Sequence, residues 1–379
     1  MLRRCLIVGF VVLAASCSIV AIFAHAQGTQ GPITPRTGAQ AQQAPQGSIR
    51  VRVALVNTPV TVHDSNGDLV LNLKKENFEV FDNGIKQAIE SFDLGGEPLS
   101  VVLVFETSSR VEPLLPAVQK SGIVFTQTVI GPSGDAAVIS YDDGIERLLP
   151  FTADHDKIEK TITNLKPGNS GTRLYDALST SVNLLRNRPP ERRRVIIVVG
   201  EPRDSGSEEK LGEVLRQAQL SNVVIYGVGL STTAAELRSP PQESRQRPIT
   251  PPGTFGTPPI PGTVQTPTSG SPGGSNSGSG NIDLGALAEM AVRNAKGVVK
   301  DHPLEVATTA TGGMYESAFR ERTVEKVIDA IGGELNAQYT LSYRPTGTDA
   351  AGYHQIKVTL DQADLKVRTR PGYYLDGKN

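Results

Sequence analysis

Short apolar runs alternate with stretches of helical periodicity through the middle of the chain. Four runs have the length of strands that are buried on both faces, and they cover residues 101–105, 136–141, 194–199 and 223–228. Between the runs, apolar residues recur at helical spacing, as at Leu174, Leu178, Val182 and Leu185. Alternating strands and helices are typical of a parallel sheet covered by helices on both faces. We therefore predict an α/β domain whose first part spans residues 96–238.

The flanking segments have other patterns. Residues 48–95 alternate apolar and polar positions and carry two turn signals, 64–68 and 82–84, which predicts a small antiparallel β module. Helical periodicity returns at 282–295 and 322–335, and strand patterns follow at 338–343, 354–360 and 365–369. We interpret residues 282–336 as the helical completion of the α/β domain and residues 337–379 as a C-terminal β part.

The N-terminus has the pattern of an export signal. Arg3 and Arg4 precede an apolar stretch, and Ala24 and Ala26 occupy the small-residue positions of a cleavage site, so residues 1–26 are predicted to be removed. Two alternatives stay open: an uncleaved anchor, and a lipoprotein modified at Cys17. Both cysteines of the chain, Cys5 and Cys17, lie in this leader. The mature protein would then be exported to the periplasm or secreted, without a disulfide.

Two segments have the composition of disordered chain. Residues 27–47 are rich in Gln, Gly, Pro and Thr, and we interpret them as a tether behind the leader. Residues 239–281 are rich in Pro, Gly and Ser and have only scattered apolar side chains, which predicts a disordered spacer. Neither segment has enough apolar surface to offset the entropy of ordering it.

Charge and motifs exclude several classes of function. The net charge of −1 gives no electrostatic argument for nucleic-acid binding. The chain has no zinc-protease motif, no nucleophile elbow and no phosphate-binding loop, so we expect no enzyme. The acidic pair Asp142-Asp143 precedes Gly144 between two strands, which favours a hairpin turn. The basic run Arg192-Arg193-Arg194 is interpreted as a solvated loop.

Oxygen-bearing side chains follow two of the buried strands. The first strand runs directly into Glu106, Thr107, Ser108, Ser109 and Arg110, and the later run 195–199 ends in Gly200-Glu201. Thr172 opens the helix between them, where helix capping is the competing role. The carboxyl ends of parallel strands meet at one edge of a sheet. Glu106, Ser108, Thr172 and Glu201 are therefore candidate ligands of a hard divalent cation.

The order of these motifs resembles a von Willebrand factor type A domain. The resemblance extends over residues 48–375, outside the spacer. The wider chain is similar to the von Willebrand factor A-related proteins of Acidobacteria. It includes segments 78–84, 171–178, 203–207, 311–313 and 338–345. It implies a Rossmann-like, mostly parallel sheet and a metal-ion-dependent adhesion site on three loops. In that family the site residues are Asp-x-Ser-x-Ser, a Thr and an Asp.

This chain departs from the family's metal motif. Glu106 and Glu201 stand where the family has Asp, and Arg110 replaces the last Ser. A guanidinium repels a dication and can pair with the acidic side chains in its place. We therefore expect a degenerate site that holds no cofactor, with Mg²⁺ or Mn²⁺ as the alternative occupant. The simplest structural role of these two glutamates is to pair with Arg110 or Arg203.

The prediction for function is an exported, non-enzymatic protein-binding module. Its partner would be a protein in the envelope or the extracellular space, with membrane contact only through an uncleaved or lipidated leader. The alternative is a metal-independent structural or assembly factor of the cell envelope.

Overall fold

The computed structural model describes residues 55–231, 302–318, 321–346 and 351–375. All of them belong to one compact unit, Val51–Asn379. The predicted leader, tether and spacer, and the predicted helix at 282–295, lie outside the described residues. No helix in the described ranges is long and apolar enough to cross a membrane.

A six-stranded sheet forms the centre of the α/β part, in the order β10-β9-β8-β5-β6-β7. The first five strands are parallel, and β7 is antiparallel to β6. The strands are β5 (Leu99–Glu106), β6 (Asp135–Tyr141), β7 (Ile145–Thr152), β8 (Arg193–Gly200), β9 (Val223–Leu230) and β10 (Tyr315–Ala318). All four predicted strands are present, and the turn at Asp142-Asp143-Gly144 joins β6 to β7 as predicted.

Helices cover both faces of this sheet, as the apolar periodicity predicts. They are α1 (Leu115–Lys120), α2 (Gly122–Val124), α3 (His155–Thr163), α4 (Leu174–Arg186), α5 (Leu211–Leu220), α6 (Pro303–Thr311) and α7 (Glu321–Ala337), with a π-helical turn at Phe125–Ile130. Successive residues of β5 face opposite layers: Leu103 packs with α1, α3 and α7, and Val104 packs with α4, α5 and α6. Side-chain alternation along a strand explains this division.

Two four-stranded antiparallel sheets form a sandwich beside the α/β part. One has the order β13-β1-β11-β4, and the other has the order β14-β12-β2-β3. The strands are β1 (Val56–His63), β2 (Phe78–Asp82), β3 (Ile85–Gln87), β4 (Ile89–Leu94), β11 (Tyr339–Tyr343), β12 (Gly352–Leu360), β13 (Lys366–Thr369) and β14 (Gly372–Leu375). Apolar residues from both sheets share one core.

The sandwich combines segments that the sequence analysis assigned to separate parts of the chain. β1 pairs with β11, and β2 pairs with β12, so both sheets of the sandwich contain N-terminal and C-terminal strands. Apolar alternation predicts each strand, but it contains no information about which strand is its neighbour. The domain boundaries themselves stay predictions.

The basic run before β8 is not the solvated loop that its charge predicts. Arg193 and Arg194 are the first residues of β8. The guanidinium of Arg194 donates to the carbonyl oxygens of Ser221 and Arg188, at 2.9 and 2.8 Å. A long side chain with five donors can satisfy backbone carbonyls that no nearby N–H reaches, which a charge pattern alone cannot show.

Candidate functional site

The first candidate ligand, Glu106, is the last residue of β5 and lies almost fully inside the protein. Only 1% of the surface of Glu106 is exposed. The backbone N–H of Thr107 donates to the carbonyl of Tyr141 at 2.9 Å, and Gly168 N–H donates to the Thr107 carbonyl at 2.7 Å. These bonds attach the loop after β5 to its neighbours and direct the Glu106 side chain inward. The structure therefore places Glu106 at the carboxyl edge of the sheet, as predicted.

Both carboxylate oxygens of Glu106 accept hydrogen bonds from the chain itself. Ser108 Oγ donates to Oε1 at 2.5 Å, and the backbone N–H of Glu201 donates to Oε2 at 2.6 Å. Arg110 Nη1 lies 3.6 Å from Glu201 Oε2. The Arg110 side chain is 54% exposed and the Glu201 side chain only 7%, so the guanidinium lies between the buried acid and solvent. The predicted pairing of Glu201 with Arg110 is therefore present.

A glycine allows this close arrangement. A Cβ atom at Gly200 would stand 2.4 Å from Tyr141 Oη and 2.8 Å from Glu106 Oε2. Only a residue without a side chain leaves room for both groups against the β8 backbone. Tyr141 Oη is buried and has no hydrogen-bond partner in the part of the chain that the structure describes. The apolar pattern did not single out Tyr141, because this residue is simply the last one of an apolar run that predicts a strand.

Thr172 is linked to the site through Ser205, which the sequence analysis did not select as a candidate. Its Oγ1 lies 2.9 Å from Ser205 Oγ, and its backbone forms an isolated bridge with Ser205. This bridge ties the loop before α4 to the loop after β8. Of the four candidates, Glu106, Ser108 and Glu201 are thus joined directly, and Thr172 is attached to the third loop.

The helix-capping role considered for Thr172 is wrong. The N-cap residue of α4 is Arg173, which makes no side-chain cap. Instead, the N–H of Tyr175 donates to Asp204 Oδ1 and to Ser207 Oγ, both at 3.1 Å. Ser207 lies in the loop before α5, which begins at Leu211. A cap supplied by a distant loop replaces a local one, and local sequence cannot reveal it.

Burial dominates the electrostatics of the site. Desolvation raises the pKa of Glu106 from 4.5 to about 7, against the opposing hydrogen bonds from Ser108 and Glu201. Burial also raises the pKa of Tyr141 and of Asp204. A proton therefore competes with any cation for this carboxylate near neutral pH.

The four candidate side chains already contact other groups of the protein. A hard cation requires several oxygen ligands with free lone pairs that point to one centre. Here, each oxygen of Glu106 already accepts one hydrogen bond, and a guanidinium approaches Glu201.

The parallel sheet, its two helical layers and the three loops at one edge define a doubly wound α/β protein with a loop-edge site. Residues 101–202 match the family model of the von Willebrand factor type A domain. Matrilin-4 from Homo sapiens is 27% identical over 145 residues, which cover 35% of this chain and 23% of Matrilin-4. The chain thus matches less than a quarter of the length of that relative. It contains a von Willebrand factor type A domain.

Solved structures with related folds have low identity. BatB from Bacteroides thetaiotaomicron is 15% identical with a TM-score of 0.36, and the match covers 62% of this chain and 98% of BatB. The vWF domain of the type V pili tip protein Mfa5 from Porphyromonas gingivalis is 23% identical with a TM-score of 0.26, over 30% of this chain and 40% of that one. Domains of this class are generally protein-interaction modules rather than enzymes.

Proposed function

We propose that this protein is an exported, non-enzymatic protein-binding module whose metal-ion-dependent adhesion site is degenerate. One observation carries the proposal: each oxygen of the Glu106 carboxylate accepts a hydrogen bond from the chain, from Ser108 and from the Glu201 backbone, and Arg110 lies next to Glu201. The donors of the chain take the positions that a cation's charge would otherwise occupy. The pattern of residues 1–26 supports export.

In this proposal, Arg110 supplies the positive charge at the carboxyl edge of the parallel sheet. Its side chain is 54% exposed, and a guanidinium recognises carboxylates with two parallel hydrogen bonds. A partner with an acidic side chain would then bind at Arg110 without a metal. Arg110→Glu should abolish partner capture in pull-downs from envelope extract. Arg344→Glu is the matched control, because Arg344 is 63% exposed and lies in the sandwich, at the end of β11.

Thermal melts with Mg²⁺, with Mn²⁺ and with chelator test the degenerate site. The wild-type protein should melt alike under all three conditions. The triple variant Glu106→Asp, Arg110→Ser and Glu201→Asp should gain metal-dependent stability, because it removes the guanidinium and shortens two ligands. At a metal concentration ~100 times its dissociation constant, the gain is about 2.7 kcal/mol. A large metal-dependent shift in the wild type that disappears with Glu106→Ala would contradict the proposal and make Glu106, Ser108, Thr172 and Glu201 true ligands.

The alternative is a metal-independent structural or assembly factor of the cell envelope. The closed, internally bonded site also favours this role, because it needs no ion to keep its shape. The two functions differ in how the partner is held. Co-purification that resists both chelator and Arg110→Glu would support the assembly factor, whereas loss of the partner with Arg110→Glu supports binding at the loop edge.

A further inference from the structure

A cavity of about 180 Å³ lies at the opposite edge of the parallel sheet, where β8 and β9 begin. Its walls come from both parts of the protein. The α/β part contributes the segment from Arg192 to Val195, and the sandwich contributes Asn57, Pro59 and Arg370. The volume is more than ten times the roughly 10–15 Å³ that one water molecule requires. A small ligand can therefore enter, and it would contact both parts at once.

Arg370 lines this cavity and has no counterion. The residue is 3% exposed, and its Nε atom is buried without a hydrogen-bond partner. Its guanidinium lies over the ring of Tyr373, with 5.6 Å between Cζ and the ring centroid. Within the described ranges, no carboxylate forms an ion pair with it. Burial accordingly lowers the pKa of Arg370. A buried, unpaired cation is costly, so a compensating anion would be strongly favoured.

Two more arginines of the lining are bonded only to neutral oxygens. Arg194 donates through both Nη atoms to backbone carbonyls, and its Nε is also buried without a partner. Arg193 donates to the carbonyl of Leu335 at 2.7 Å and to the Gln338 side chain. These acceptors fix the side chains but do not neutralise them. Arg194 and Arg370 thus each have one guanidinium donor, Nε, without a hydrogen-bond partner, and the lining has an excess of positive charge.

The acids around the cavity do not supply the missing charge. Asp82 accepts hydrogen bonds from Tyr373 and Tyr343 at 2.7 and 3.1 Å and lies 3.0 Å from His354 Nδ1, so its oxygens are engaged elsewhere. Glu97 also lines the cavity, but burial raises its pKa, against the opposing charge of Arg193. Together with Glu191, it gives two carboxylates against the four arginines of the lining, which are Arg192, Arg193, Arg194 and Arg370.

We propose that this cavity binds a small oxyanion, either a carboxylate or a phosphate, which the guanidinium groups of Arg194 and Arg370 hold. Both residues line the cavity, each has an Nε donor without a protein partner, and guanidinium geometry suits the two oxygens of such an anion. The site is separate from the loop-edge site and does not depend on its function. Because Arg194 belongs to the α/β part and Arg370 to the sandwich, the anion would strengthen the contact between them.

Isothermal titration calorimetry of the full chain tests this proposal with phosphate, sulfate, acetate and succinate. Each probe is titrated into chloride buffer of equal ionic strength. At least one probe should bind saturably, and Arg370→Gln and Arg194→Gln should each weaken it tenfold or more. Arg344→Gln, on the exposed sandwich surface, should leave binding unchanged. Phosphate and sulfate alone would identify a phosphate-type site, and acetate or succinate alone would identify a carboxylate site.

Saturation separates binding from the general stabilisation that excluded salts give. If Arg370→Gln fails to fold, Arg194→Gln and the wild-type titration still decide the matter. Absence of saturable binding by all four probes overturns the proposal. Binding that is equal in the wild type and in the folded arginine variants overturns it as well.

Discussion

Two buried carboxylates in this protein have very different surroundings. Asp82, at the end of β2, is 0% exposed and lies in the sandwich core. Its hydrogen-bond partners Tyr343, His354 and Tyr373 come from three other strands. Glu106, at the end of β5, is 1% exposed, and its donors are Ser108, two residues away, and one backbone N–H. The first acid joins distant strands, whereas the second lies under a short loop.

The difference shows what makes a buried acid structural or adaptable. Asp82 has three side-chain partners inside a closed core, so any change there disturbs several strands. Glu106 has fewer donors and a neighbouring acid, Glu201, and its pKa of about 7 lets it change charge near neutral pH. A site that changes charge at the loop edge suits interaction, while a saturated one in the core suits stability.

A substitution that buries a carboxylate without hydrogen-bond donors should have the largest effect on stability. Val102 is fully buried in β5, between the sheet and the helices α4 and α5. Val102→Asp should therefore cost at least about 4 kcal/mol and prevent folding. Circular-dichroism melts and soluble yield measure it. Leu71→Asp is the control, because Leu71 is 51% exposed and should tolerate the charge. Equal melting of both variants would show that the sheet is misplaced.

Removal of Asp82 should be the next largest effect. Asp82→Ala leaves two tyrosine hydroxyls and a histidine without their shared acceptor inside the sandwich. We expect a loss of about 3–5 kcal/mol in the free energy of unfolding, measured by urea denaturation. Asp93→Ala, at an exposed position of β4, should change stability by less than about 0.5 kcal/mol. A comparable loss in both variants would refute the structural role of Asp82.

The raised pKa of Glu106 predicts a pH dependence. The folded protein keeps a proton that the unfolded chain releases between about pH 4.5 and 7. Stability should therefore fall as the pH rises through this window, by roughly 3 kcal/mol in total. Urea denaturation in chelator, repeated across the window, measures the slope. Glu106→Gln should remove this component. A wild-type stability that rises with pH, and whose slope Glu106→Gln leaves unchanged, would contradict the assignment.

Loss of one hydrogen-bond donor to Glu106 should have the smallest effect on stability. Ser108→Ala removes the 2.5 Å hydrogen bond to Glu106 and should cost about 1 kcal/mol at pH 8, where the acid is ionised. It should also raise the pKa of Glu106 further, which NMR titration of the side chain can follow. Ser109→Ala changes an exposed hydroxyl next to it and serves as the control. Identical titration curves for the two variants would mean that Ser108 does not stabilise the carboxylate.

Much of the α/β part could be predicted from the sequence because its signals are local. Apolar runs located β5, β6, β8 and β9 to within two residues at each end. The helical stripe at Leu174, Leu178 and Leu185 is fully buried. At the site, the placement of Glu106 and Glu201 at strand ends was sufficient to bring both to one edge, since parallel strands end together.

The rest depended on contacts between residues far apart in the chain. Side-chain periodicity states which face of a strand is buried, but not which strand lies beside it. For that reason the pairing of β1 with β11, the acceptor role of Asp82 and the burial of Arg194 and Arg370 were not evident in advance. The sequence by itself determined the strands, the helices and the edge where the loops meet. The tertiary structure alone decided which charges are paired, because the hydrogen-bond partner of a buried polar group is set by proximity in space and not by distance along the chain.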